Sequence, residues 1–125
     1  MKRLRDWFPD FLNESDWFSP NTYGNEYKDI PETPGVYFFV ADTSPNPKTN
    51  KPKIVYVGSS KNLFNRLRNH ELFKVFSETF YNVRIFFHET PYYIAKERSI
   101  IKILAPEGNS HKYLLLRYQQ IPEQQ

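Results

Sequence analysis

The chain has 125 residues, no cysteine and a formal net charge of +3, which suits one domain with a modest core and excludes a disulfide framework, a thiolate zinc site and a cysteine nucleophile. No apolar run approaches the roughly 18–20 residues that span a bilayer. Lys2, Arg3 and Arg5 lead into no apolar signal-peptide segment, so the expectation is a soluble cytoplasmic chain away from membranes.

Residues 1–32 read as an aromatic arm. Trp7, Phe8, Phe11, Trp17, Phe18, Tyr23 and Tyr27 stand among Pro, Asn, Asp and Ser. A short helix over 3–13 is expected, limited by Pro9, and the rest is loop held to the body by its rings. Pro31 and Pro34 close the arm. Residues 35–40 (GVYFFV) are a strand bounded by Pro34 and Asp42. Alternation sends Tyr37 and Phe39 to one face, and Val36, Phe38 and Val40 to the other. Residues 41–53 form a loop with Pro45, Pro47 and Pro52. A second strand covers 54–58. An antiparallel hairpin is the simplest pairing, in which Tyr37 and Tyr56 can share a face, with the register left open.

Gly58 ends that strand, and a Ser-Ser-Lys-Asn turn leads into a helix over 61–70, capped by Ser60 or Asn62. Its stripe is Leu63 and Leu67. Arg66 and His70, also four apart, lie beside that stripe, a placement that suits the border of a cleft. Residues 71–79 are a second helix or helical turn, and 81–89 a third strand. Pro91 opens a helix over about 92–104 with the stripe Tyr93, Ile100 and Leu104. Glu97 stands in that core-facing row. A carboxylate there needs a cation, a pairing base or water, so it is either an ion-pair partner or a metal ligand. Pro106 ends the helix, Gly108-Asn109 turns, 111–118 is a short strand or helix, and 119–125 a frayed tail.

The charge is unevenly spread. Residues 43–70 carry Lys48, Lys51, Lys53, Lys61, Arg66 and Arg68 with no acid, while the remaining 11 basic and 14 acidic residues give a net −3. A basic face on an acidic body suits a polyanion, nucleic acid first. The 9 Tyr, 11 Phe and 2 Trp serve packing or base stacking. Taken singly, Tyr37 and Tyr56 read as core tyrosines and Arg66 as a surface arginine. His70 reads as a helix C-terminal histidine and Asn109 as a turn residue. Ser59 and Ser60 read as turn residues rather than nucleophiles.

Taken together they resemble a known family. Gly35-Val36-Tyr37, Tyr56-Val57-Gly58, Arg66 eight residues after that glycine, His70, Glu97 and Asn109 are similar to the motif of the GIY-YIG nucleases over residues 33–110. Lys61-Asn62-Leu63 in the turn and Pro106 before Asn109 extend the likeness. The order and spacing carry it; no tripeptide does so alone. The resemblance implies an α+β (α/β) domain, a small three-stranded antiparallel sheet flanked by helices, with residues 111–125 as a C-terminal extension. It implies a metal-dependent endonuclease that hydrolyses DNA phosphodiester bonds. Glu97 would hold Mg2+ or Mn2+, and Arg66 would contact the scissile phosphate. Tyr37 and Tyr56 would line the site, Tyr37 being the first choice to handle the proton of the attacking water. His70 would assist as a relay, and Asn109 would support the site by hydrogen bonding.

One departure is the long interval between Tyr37 and Tyr56, whose surplus falls in the lysine-rich segment 42–53. Lys48, Lys51, Lys53, Lys61 and Arg68 are the expected DNA-backbone contacts. So small a module leaves target choice to the arm, this loop, the tail, a homodimer or a recruiting protein partner. Two other readings are a DNA-binding module of the same fold without cleavage, and a protein-interaction domain. The endonuclease reading requires two phenols, a guanidinium and a carboxylate to converge where a phosphate can share one cation.

Overall fold

A computed structural model describes residues 30–110. The expected helix over 3–13, the body of the aromatic arm and the closing element 111–118 lie outside the described residues. The elements in order are β1 (Gly35–Asp42), β2 (Lys53–Ser60), α1 (Leu63–Leu67), α2 (Glu71–Thr79), β3 (Tyr81–Glu89) and α3 (Tyr93–Leu104). A 3-10 turn, Glu107–Asn109, follows. The three strands form one antiparallel sheet in the order β2-β1-β3. Among the described residues no helix is long and apolar enough to cross a membrane.

The central strand explains the apolar run at 36–41. β1 is paired on both edges and covered on both faces, so Val36 through Ala41 are all buried. The expected alternation is present. Tyr37 and Phe39 pack with Leu63 and Leu67 of α1 and Leu72 and Phe76 of α2. Val36, Phe38 and Val40 pack on the opposite side with Phe86 and with Ile100 of α3. Full burial of one such aliphatic or phenylalanine side chain contributes about 1.5–3 kcal/mol, so this double-sided strand is the main source of stability.

The sheet departs from regular alternation at one informative point. Phe39 pairs with Tyr56 while Val40 pairs with Ile54, which leaves Val55 as an extra residue in β2. Val55 and Tyr56 consequently face the same cluster as Tyr37, while Ile54 and Val57 face α3. The regular register Tyr37↔Gly58 and Phe39↔Tyr56 sets Tyr56 beside Tyr37, and the bulge adds Val55 to the same face.

The expected helix over 61–70 is shorter, Leu63–Leu67, and the expected second helix over 71–79 is present as α2. Asn62 caps α1, its Oδ1 accepting from the Asn65 N–H at 3.0 Å, and Ser60 serves the cap by accepting from the Asn62 N–H. α1 ends after Leu67, and the chain turns at 68–70. His70 is then the N-cap of α2, where its Nδ1 accepts from the Leu72 N–H at 3.1 Å. It is not a C-terminal histidine held by a helix dipole. The reason is local: a side-chain acceptor at 70 satisfies a free first-turn N–H, and Glu71 adds a favourable charge there.

The lysine-rich loop ties itself together. The Thr43 N–H donates to Asn50 Oδ1 and the Lys51 N–H to Thr43 Oγ1, while Asn46 Oδ1 accepts from the Lys48 N–H. At the same end of the sheet Asp42 pairs with Arg84 at 2.8 Å.

Candidate active site

Four of the six motif residues meet on the α1/α2 side of the sheet. The Tyr37 and Tyr56 rings lie 6.2 Å apart, and each stands edge-on to the His70 ring at 5.4 Å. The Phe39 ring approaches the same imidazole at 4.8 Å. The three polar members are enclosed, with Tyr37 1%, Tyr56 3% and His70 6% exposed. Gly58 is where it is because the Tyr37 ring and hydroxyl lie across it; a Cβ there would meet both.

The bond between Tyr37 Oη and His70 Nε2 is 2.7 Å long. Its direction follows from the cap. Nδ1 is accepting a backbone N–H and so carries a lone pair, which puts the proton of the neutral ring on Nε2. His70 therefore donates to Tyr37, and the Tyr37 hydroxyl keeps its own proton for another acceptor.

Arg66 reaches the same cluster from α1 and is held by a carboxylate. Its two terminal nitrogens donate to both oxygens of Glu71, at 2.5 and 2.7 Å. Burial disfavours its charge, but the Glu71 bonds and the nearby Tyr37 and Tyr56 oxygens outweigh that and raise its pKa further. For Glu71 burial works upward, yet the Arg66 bonds, the Glu71 backbone N–H and the charge of Arg66 hold it at about 2.

That shift has a measurable consequence. The ordinary value is 4.5, and the folded value is lower, so the pair stabilises the fold above pH 4.5 and ceases to do so as pH falls through about 2. Urea midpoints measured across that window are expected to fall more steeply for the wild-type chain than for Glu71→Gln. Equal slopes would show that the pair does not contribute.

Glu97 approaches from the other side. α3 packs on the Val36/Phe38/Val57 face, where Ile100 is buried and Tyr93, Ile101, Leu104 and Glu97 are half-buried. Its Oε1 accepts from Ser59 Oγ at 2.9 Å, and among the described residues it pairs with no cation. Ser59 follows Gly58, so the Tyr37 hydroxyl and the Glu97 carboxylate flank one peptide step of β2 from opposite faces. The geometry brings the phenols, the guanidinium and the imidazole together; the acid stands across the strand from them.

Asn109 acts on backbone. Its Oδ1 accepts from the Val57 N–H and its Nδ2 donates to the Val57 carbonyl, both at 2.8 Å. It fixes the residue between Tyr56 and Gly58. The basic residues are mostly outward: Lys48, Lys51, Lys61 and Arg68 are exposed, Arg68 lying 5.7 Å over the Phe64 ring. Lys53 is committed to Glu107 at 3.3 Å and sits over Phe80.

Two residues of this region escaped the sequence reading. Ser59 looked like a turn residue and instead orients the Glu97 carboxylate. Glu71 was unassigned, although an acid opening a helix after a polar cap was the available sign.

Among the described residues no three His, Cys, Asp or Glu side chains gather into a metal-binding group. The donor set fits a hard cation held by one carboxylate, with water and substrate oxygens completing its shell. The chain is a small α+β domain, a three-stranded antiparallel sheet with three helices. No family model, curated protein or solved structure matches it.

Proposed function

We propose that this chain is a divalent-metal-dependent endonuclease that hydrolyses DNA phosphodiester bonds through a GIY-YIG-type site. The observation that carries this reading is the meeting of Tyr37, Tyr56, Arg66 and His70 in one cluster. They come from β1, β2, α1 and the N-cap of α2, at the motif's positions.

The residues divide the work as follows. Arg66 offers a planar fork that matches two phosphate oxygens and offsets their developing charge. Tyr37 accepts an N–H from His70 and stands beside the Arg66–Glu71 pair. As the Tyr37 hydroxyl passes its own proton on to a second acceptor, its oxygen takes the proton of the attacking water, with His70 holding that oxygen in place. Tyr56 packs beside it and restricts water. Glu97, oriented by Ser59 and standing across β2 from the phenols rather than among them, would hold Mg2+ or Mn2+, whose chemistry when bound is Lewis-acid stabilisation of a phosphate.

The exposed lysines supply a sequence-independent contact. Replacing Lys48 and Lys51 together by alanine is expected to weaken duplex binding and to lower the log–log salt slope by about 2. An unchanged slope would remove the loop from the interface.

A non-cleaving nucleic-acid-binding module is the second reading, favoured by the enclosure of both phenols. Plasmid nicking decides between them. Wild-type chain with Mg2+ or Mn2+ is expected to convert supercoiled DNA to open circles, and chelator or Glu97→Ala to stop it. Binding without nicking under all metal conditions would establish the second reading.

A further inference from the structure

We propose that Glu71 is an internal occupant of the Arg66 fork, standing where a phosphodiester binds, so that substrate enters by exchange of one anion for another. The inference rests on the nuclease reading and specifies how its phosphate site is controlled. The two Glu71 oxygens take one N–H from each terminal nitrogen of Arg66. Two non-bridging oxygens of a phosphodiester ask for the same two-point contact.

Three features make this an exchange rather than a permanent strut. The pair is partly open, its side chains 22% and 11% exposed, so an anion from solvent reaches the fork. Glu71 also has somewhere to go. It opens α2, where its own backbone N–H already supports the carboxylate and the helix end favours negative charge. And the exposed Lys48, Lys51 and Lys61 attract a polyanion that a neutral Arg66–Glu71 pair by itself would not. The site therefore favours phosphate presented within a long nucleic acid over a small phosphate anion.

The test is fluorescence anisotropy of a labelled DNA duplex with the full chain in chelator. If the fork is unoccupied for about one-tenth of the time, Glu71→Gln is expected to tighten binding by about tenfold. That gain must vanish in the Arg66→Ala/Glu71→Gln double variant. Glu71→Asp keeps the charge but shortens its reach, and is expected to tighten binding by about threefold; it decides the matter if Glu71→Gln fails to fold. Unchanged or weaker binding, or a gain that survives without Arg66, overturns the proposal. Failure of the nuclease reading looks different: wild-type chain that binds the duplex but leaves it uncut when metal is added.

Discussion

His70→Ala is expected to cost the fold about 3–5 kcal/mol, with a fall in Tm of roughly 10–20 °C. Three losses combine at one side chain. The α2 N-cap goes, at about 1 kcal/mol. The enclosed Tyr37 hydroxyl loses its His70 donor, at about 1–3 kcal/mol. A cavity opens among the Tyr37, Phe39 and Tyr56 rings. His70→Asn separates these terms. Asparagine is a good cap, so it should restore about 1 kcal/mol and no more. A thermal melt in which alanine and asparagine behave alike would show that the cap contributes nothing. If alanine cost under about 1 kcal/mol, the imidazole would be a bystander to the packing.

Glu97→Gln is expected to reduce metal-dependent nicking by at least about 10³-fold while leaving duplex binding in chelator unchanged. Glutamine keeps the shape, and its amide oxygen still accepts from Ser59; only the charge that would hold the cation is gone. Ser59→Ala, which keeps the charge and removes the orienting hydroxyl, is expected to cost about 10–100-fold, recovered in part by raising the metal concentration. Full nicking by Glu97→Gln would mean that the metal is held by other groups. It would also reduce the carboxylate to a polar member of a helix face.

Much of this architecture was legible in the residues. The alternation at 35–40 assigned both faces of β1 correctly, since each buried side chain had a partner layer to meet. Glu97 stands out as an acid in an apolar stripe, and it is half-buried and, among the described residues, held by a hydroxyl rather than an ion pair. What escaped depended on irregular backbone. Arg66 and Glu71 fall on different expected elements, and the relative direction of two elements is not written in either one's periodicity. The break at 68–70 is what lets their side chains meet. The expected boundary between the two helices falls at 70/71, which hides the turn at 68–70 and the contact it permits. The extra residue at Val55 is equally silent, a β-branched residue in a β-branched run. The distance between Glu97 and the phenols was hidden for a plainer reason. Helical phase tells that a side chain faces the sheet, but not which of the two faces its helix covers.

The attachment of Asn109 to Val57 also bears on how two copies of the chain can meet. An amide side chain offers one donor and one acceptor in the same sense as a neighbouring strand, and here it occupies both outward groups of Val57. Gly108 lies against the Val55 carbonyl, so tightly that a Cβ would collide with it. The outer margin of β2 is thereby sealed by the chain's own turn, and edge-to-edge growth into a larger sheet is closed along that side. A dimer built on this domain has to use another surface.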